Sequence, residues 1–275
     1  MAESKRCNVV GFPINHSLSP HLFALVHEHL GLSWEMPRKI STSDINEIFD
    51  LREKSPMLIT EFEQMVKLVT NEIKGENIDL SEKPSIEIYK IIQEYNGVLQ
   101  WGSITSPLKH QLENNLVNCY VADNDGVRYA MTDGHGVVLV AKQFGIDFDT
   151  NPVLHLKGGG SSAIATANAW LSMGGKVKSL KGKRYLPDEL LLNCNSELDA
   201  NLYVDFDDSS NSKGLVLFPN YSSELQTSPH KIDGRWMLIA QHILAWAVLF
   251  APEEQKNLPS LDLLFKRLVS LESLI

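Results

Sequence analysis

The sequence predicts an α/β fold, and three observations carry that expectation. First, Val153 to Leu156 reads as a short buried strand, Gly158 to Ser162 as a glycine-rich turn, Ala163 to Met173 as an alanine-rich helix closed by Gly174-Gly175, and Lys176 to Leu180 as a further strand. Strand, turn, helix and strand in that order make one β-α-β unit. Second, Asn8-Val9-Val10-Gly11 reads as a strand ending in a turn at Gly11 and Pro13, and a helix follows it. Ser19 is expected as its N-cap with Pro20 at the first helical position, apolar residues recur at Leu22, Leu25, Val26 and Leu30, and Gly31 stops it. Third, two helices close the chain. The apolar run Trp236 to Ala251 reads as a buried helix, and from Ser260 onward Leu261, Leu264, Phe265, Leu268 and Leu271 recur at helical spacing.

The remaining elements follow from the same signals. A short strand is expected around Trp34 to Ile40. Residues 42–97 read mostly as helix in three stretches, carried by Ile45, Ile48, Phe49 and Leu51, by Phe62, Met65, Val66, Leu68 and Val69, and by Ile86, Ile88, Ile91 and Ile92. Pro56 and Pro84 separate them, because proline interrupts a helical interior. Gly134 to about Phe144 is expected as a helix with Gly145 as its C-terminal stop. Leu190 to Leu192, Leu202 to Asp205 and Leu215 to Phe218 are expected as three further strands.

Size and composition bound the function. A chain of 275 residues is long enough for one large or two modest cores. A net charge of −9 without a basic stripe argues against nucleic acid as a partner. Cys7, Cys119 and Cys194 are far apart and form no C-x-x-C pair, which fits a reducing compartment, so the expected location is the cytoplasm. Met1 to Val10 carries no secretory-signal pattern, and the run from Trp236 to Ala251 is short for a membrane span and contains Gln241 and His242, so no membrane partner is expected. The nine histidines show no zinc-like spacing, so no metal is expected, and no G-x-S-x-G elbow is present.

Several groups have chemistry to offer. Gly158-Gly159-Gly160-Ser161-Ser162-Ala163 fits G-x-G-x-x-A between a strand and a helix, where bare backbone lets a pyrophosphate rest on the helix N-terminus. An ordinary βα turn is the plainer explanation. Beyond the second strand stand Lys181, Lys183 and Arg184 and no acid; cations there suit a 2′-phosphate, hence NADP rather than NAD, while a solvated basic turn is the alternative. Lys109 in Thr105-Ser106-Pro107-Leu108-Lys109 and Asp133 in Thr132-Asp133-Gly134 supply an ammonium and a carboxylate, although a surface lysine and a helix cap would explain them equally. Ser17 and Ser19 suit turn and cap chemistry. Gln241 in an apolar helix needs hydrogen-bond partners, which a structural contact or a polyhydroxylated ligand would provide.

Taken in order, these motifs resemble the shikimate dehydrogenase family. Gly11-Phe12-Pro13-Ile14-Asn15-His16-Ser17-Leu18-Ser19-Pro20 is similar to the family's G-x-P-[IV]-x-H-S-x-S-P, and Ile104 to Lys109 to its V-T-x-P-x-K. Asn124 is placed at its A-x-N-T asparagine, Thr132-Asp133-Gly134 at N-T-D-G, Asn193-Cys194-Asn195-Ser196 at N-A-T-S, and Asp233 to Gln241 at D-G-x-x-M-L-x-x-Q. The resemblance implies two domains: a substrate domain formed by both chain ends, 1–132 plus 237–275, and a trimmed Rossmann-like dinucleotide domain, 133–236. It implies Lys109 and Asp133 as a catalytic pair, and Ser17, Ser19, Thr105, Asn124 and Gln241 around a shikimate-like hydroxy acid. It implies Gly158, Gly160, Ser161 and Ser162 at the pyrophosphate and Asn193, Gly234 and Met237 along the cofactor; Lys181, Lys183 and Arg184 are expected at its 2′-phosphate from their charge alone. The activity implied is reversible NADP-dependent reduction of 3-dehydroshikimate or a close ring acid, as in aromatic amino acid biosynthesis by the chorismate pathway, in a monomer or homodimer.

The chain also departs from that pattern. Ser103 and Ala24 stand where the family often has amides, Asp125 replaces a threonine, Ser161 a glycine, and Lys181-Gly182-Lys183 an N-R-T run. The segment before Thr105 is enlarged, and no room is left between Leu180 and Leu190 for the usual crossover helix. The alternative function is therefore a non-catalytic or cofactor-impaired relative that binds a cyclic hydroxy acid.

Overall fold

The computed structural model describes the chain apart from residues 1–5, 34–35, 50–58, 81–84, 92–98, 113–114, 195–196, 208–213, 222–223 and 226–227. The polypeptide divides into two compact units, one of Met1–Met131 with His242–Ile275, the other of Thr132–Gln241. The fold is α/β, with a mixed sheet in the first unit and a parallel sheet in the second.

The first unit opens with β1 (Arg6–Gly11), α1 (Ser19–Leu30) and β2 (Arg38–Ser41). Cys7, Val9 and Val10 are buried in a run, as expected for a central strand covered on both faces. α1 starts at Ser19, so Leu18 and not Ser19 holds the cap position, and Gly31 ends the helix in the left-handed region (φ 64°). A short 3-10 turn, Ile45–Phe49, replaces the first helical stretch expected after residue 42, and α2 (Ile59–Glu72) matches the second. Trp34, Leu51, Pro56 and Pro84 lie outside the described residues.

The third expected helix is instead β3 (Ile88–Ile91), paired antiparallel with β6 (Gly126–Ala130). Its β-branched and aromatic residues fit a ladder, and pairing overrides the helix-like spacing. Between them in sequence lie β4 (Gln100–Ile104) and β5 (Cys119–Asp123). β5 and β6 form a hairpin in which Tyr120 faces Tyr129 and Ala122 faces Val127, closed by the pair Asp123 and Gly126. The spatial order is β2-β1-β4-β5-β6-β3. One face of this sheet packs Val10, Ile104, Tyr120, Ala122, Val127 and Tyr129 against Ile45, Ile48 and Leu108.

The second unit runs α3 (Asp133–Gln143), β7 (Val153–Lys157), α4 (Ser161–Ser172), β8 (Lys176–Leu180), α5 (Asp188–Leu191), β9 (Leu202–Asp205), β10 (Val216–Leu217), β11 (Lys231–Ile232) and α6 (Gly234–Ala245). Its sheet is parallel throughout in the order β11-β10-β9-β7-β8. The strand expected at Leu190 to Leu192 is the end of α5 and the turn after it: the N–H groups of Leu190 and Leu191 both bond the Pro187 carbonyl, so a single helical turn spans the short gap.

The first unit resumes within α6 at His242, continues through a π-helical turn, Trp246–Phe250, and ends in α7 (Leu261–Leu274). Ser260 caps α7, its hydroxyl accepting from the Leu263 N–H at 3.2 Å. Phe23, His27, Trp101, Trp246 and Phe250 form an aromatic cluster with ring centroids 4.8–5.8 Å apart, mostly edge to face. Among the described residues no helix is long and apolar enough to cross a membrane.

Buried Arg267 on α7 ties these helices together. Its guanidinium donates to the carbonyls of Thr70 (3.2 Å) and Ile73 (3.0 Å) at the C-terminal end of α2, and to His29 Nδ1 on α1 (2.9 Å). A cation there faces the negative end of the α2 dipole. Because arginine only donates, His29 Nδ1 must accept, and the proton sits on Nε2, which reaches Asn77 Oδ1 and the Asn257 carbonyl. Burial, then the Arg267 charge, holds the His29 pKa below the ordinary imidazole value. Burial lowers those of His21 and His135 as well.

A group whose folded pKa is lowered contributes stability above its unfolded pKa and loses it as pH falls toward the folded value. The urea midpoint is therefore expected to be lower at pH 5 than at pH 7.5, with the fall beginning near pH ~6.5. His29→Gln is expected to shrink that difference; a midpoint that rises on acidification contradicts the assignment.

Candidate active site

Asp133 is the first residue of α3 and fully buried, as is Thr132 before it. Its place is set by two glycines. A Cβ on Gly134 would lie 2.0 Å from the Ala165 carbonyl oxygen of α4, and one on Gly136 would lie 3.1 Å from the Gln241 nitrogen of α6. Only bare backbone lets the start of α3 approach α4 so closely, and a Cβ at Gly136 would press on α6. The Thr132 hydroxyl donates to the Gln241 carbonyl at 2.9 Å, which ties the beginning of α3 to α6. The Ser162 hydroxyl, in the first turn of α4, donates to Asp133 Oδ2 at 2.5 Å.

The Asp233 to Gln241 motif has a structural reason at several positions. Asp233 accepts from the Arg235 N–H at 2.9 Å and forms a buried ion pair with the Arg235 guanidinium at 3.1 Å, beside the Tyr221 ring. Gly234 has no room for a Cβ, which would meet the Phe218 and Pro219 carbonyl oxygens at 2.6 Å. Met237 is buried in the core of the unit.

The glycine turn joins the C-terminal end of β7 to the N-terminus of α4, with Gly158 at φ 120° and Gly160 as the capping residue. The groups that would take a pyrophosphate are its bare backbone and the N–H groups of Ser161 and Ser162. The segment after β8 lies against the same turn: a Cβ on Gly159 would be 2.1 Å from the Tyr185 carbonyl oxygen, and one on Gly160 would be 2.9 Å from the Arg184 guanidinium. Arg184 thus sits at the turn, and Lys181, Lys183 and Arg184 are all exposed. An acid unforeseen from the sequence stands beside Lys183, and another faces β7. Asp207 Oδ2 accepts from the Lys183 N–H at 2.7 Å, and buried Asp205 lies 3.9 Å from the Lys157 ammonium. Asn193 is exposed in the turn after α5; Asn195 and Ser196 lie outside the described residues.

In the first unit the two N-terminal motifs meet. The Phe12 N–H bonds the Ser106 carbonyl at 3.0 Å, the Thr105 N–H bonds the Val10 carbonyl at 2.8 Å, and a Cβ on Gly11 would strike the Thr105 methyl group at 2.3 Å. Phe12-Pro13 and Ser106-Pro107 are both cis. Lys109 lies in a 3-10 turn, Leu108–His110, anchored by buried Leu108 and by the Val117 N–H on the Lys109 carbonyl. Ser17 is buried, and its hydroxyl accepts from the Ser19 N–H at 3.3 Å. The Lys39 ammonium donates to the Asn15 carbonyl of the same loop at 2.7 Å, and partial burial lowers its pKa.

One expected site residue is displaced. Asn124 is exposed at the tip of the β5–β6 hairpin, beyond the pair Gln100 and Ala122, whereas Thr105 follows the other end of β4, where Ser103 pairs with Cys119. Asn124-Asp125-Gly126 serves as turn chemistry, not as a neighbour of Thr105. At the Thr105 end stands buried Asn118, whose carbonyl accepts from the Ile104 N–H at 2.7 Å. The signal that separates the two is Asp-Gly between two apolar runs, which marks a hairpin turn. His242 has no such signal in the sequence. Its Nε2 lies 2.9 Å from the Ser19 hydroxyl, and both side chains are buried.

No protein-family model matches the chain, and no curated protein does. Solved structures do. Shikimate 5-dehydrogenase from Thermus thermophilus, in complex with shikimate, superposes with a TM-score of 0.61 at 18% identity over 98% of this chain and 99% of that one. The chain has the shikimate dehydrogenase fold. The enzyme from Listeria monocytogenes, in complex with shikimate and NAD, gives 0.62 at 15% identity over 97% and 96%. A shikimate dehydrogenase in complex with NADP+ gives 0.59 at 13% identity over 98% and 96%. The shared fold thus runs through both units, from the strand before Gly11 to α7. Among the described residues no group of three or more His, Cys, Asp or Glu is placed to hold a metal ion.

Gly134→Ala is expected to force α3 from α4 and to cost about 2–3 kcal/mol of stability. Thermal unfolding read with hydrogen exchange is expected to localise the loss to Thr132–Gln241; a variant as stable as the parent contradicts the packing account.

Proposed function

We propose that the protein is an NADP-dependent dehydrogenase acting on a cyclic hydroxy acid of the shikimate type. The observation that carries this reading is the buried Asp133 carboxylate, held at the start of α3 against the helix that follows the glycine turn, within a fold shared with shikimate dehydrogenases. Lys109 and Asp133 are the proton-handling residues. Ser17, Ser19, Thr105 and Gln241 bind the ring hydroxyls and carboxylate, and Asn118 takes the part first expected of Asn124.

The chain offers a dinucleotide suitable donors: N–H groups at the start of α4, the bare turn Gly158 to Gly160, and the cations of Lys181, Lys183 and Arg184. The nicotinamide, when bound, supplies the hydride. In the direction of ketone reduction, Lys109 Nζ gives a proton to the ring oxygen as negative charge grows there, and its remaining N–H bonds stabilise that charge. Asp133 accepts from the neighbouring ring hydroxyl and so fixes the ring. Shikimate is the preferred candidate substrate, and quinate and aminoshikimate are its nearest rivals.

A second function has its own support. The Arg184 and Tyr185 backbone packs against Gly159, so the glycines of the turn also serve the chain's internal packing. This favours a relative that binds the ring acid with impaired use of a cofactor. Turnover of a panel of ring acids with NADP and NAD separates the two: NADP-linked oxidation of shikimate supports the dehydrogenase, and ring-acid binding without turnover supports the binding protein. Lys109→Ala is expected to lower kcat by about 10²–10⁴-fold with the fold intact by circular dichroism; near-parental turnover contradicts the role given to Lys109.

A further inference from the structure

The hydroxyl of Ser162 is committed to Asp133. A carboxylate only accepts, so the direction of this bond is fixed: Ser162 Oγ–H donates to Asp133 Oδ2. A dinucleotide phosphate at the N-terminus of α4 would therefore meet the Ser162 backbone N–H, while the side chain is engaged on the carboxylate. Both ends of the bond are anchored. Asp133 is carried by an α3 start that cannot move toward α4, because Gly134 already touches the Ala165 carbonyl with bare backbone. Ser162 is carried by the first turn of α4, and its carbonyl accepts from the Thr166 hydroxyl at 2.7 Å. Asp133 is fully buried, so its oxygens need hydrogen-bond donors, and the Ser162 hydroxyl is one donor that bears on how the carboxylate plane is turned.

We propose that Ser162 is a positioning residue for Asp133: its hydroxyl orients the carboxylate from the same helical turn whose N–H groups face the nucleotide. One turn of backbone then serves two purposes, and cofactor seating is mechanically joined to the aim of the acid. This inference rests on the dehydrogenase reading above and deepens it.

The test compares the full-length protein with Ser162→Ala and Ser162→Thr, each shown to be folded by circular dichroism. Ser162→Ala keeps the backbone N–H and removes the donor, so kcat for shikimate oxidation is expected to fall by about 10–100-fold, while KM for NADP stays within roughly twofold. Ser162→Thr restores the hydroxyl and is expected to recover most of kcat. Calorimetric shikimate affinity is measured on all three proteins. If the parent turns over and Ser162→Ala matches it in kcat, or loses cofactor affinity instead, the positioning role is overturned and the dehydrogenase reading stands. If the parent binds shikimate without turnover, the dehydrogenase reading fails, and positioning is judged on affinity alone: weaker binding by Ser162→Ala with rescue by Ser162→Thr supports it, and equal binding overturns it. A parent that neither turns over nor binds overturns both.

Discussion

The start of α3 is wedged between α4 and α6 through two glycines, and the chemistry assigned to the second unit depends on that wedge. Gly134 lies against the Ala165 carbonyl and Gly136 against the Gln241 backbone; the first approach admits no side chain, and the second leaves almost no room for one. The consequence is electrostatic as well as steric. A buried carboxylate needs donors, and this packing delivers Asp133 to the Ser162 hydroxyl while Thr132 locks onto the Gln241 carbonyl. The local sequence Thr-Asp-Gly-His-Gly is thus a packing instruction first, and it leaves the Asp133 carboxylate fixed and fully buried.

The first unit follows the same logic. Gly11 has no Cβ because Thr105 occupies that space, so the loop bearing Ser17 and Ser19 is fitted to the loop bearing Lys109. Ser19 is in turn held by His242, which comes from the far end of the sequence. Residues separated by more than two hundred positions become neighbours because α6 carries the chain back to the first unit at His242.

Much of this is legible in the sequence. The β-α-β unit at Val153–Leu180, α1 with its Gly31 stop, and α3, α6 and α7 follow from apolar spacing and glycine punctuation, which act locally. What escapes is decided at long range. β3 has helix-like spacing at Ile88 and Ile91, and only the ladder with β6 makes it a strand. Asn124 is a different case: motif order places it in the site, whereas the local Asp-Gly signal, read as a hairpin turn, puts it at the tip of β5 and β6. The glycine turn has the pattern of a ligand loop, yet Phe206, Tyr185 and Arg184 each press on one of its glycines, a fact no pattern of residues contains.

On the proposed function, the turn between β7 and α4, although packed upon by its own chain, receives a dinucleotide carrying a 2′-phosphate. Titration of the full-length protein into NADPH, followed by nucleotide fluorescence with and without shikimate, tests it most directly. Saturable binding in the micromolar range, weakened by Arg184→Ala and tighter than for NADH, is expected. No change in fluorescence at protein concentrations that bind shikimate would contradict it.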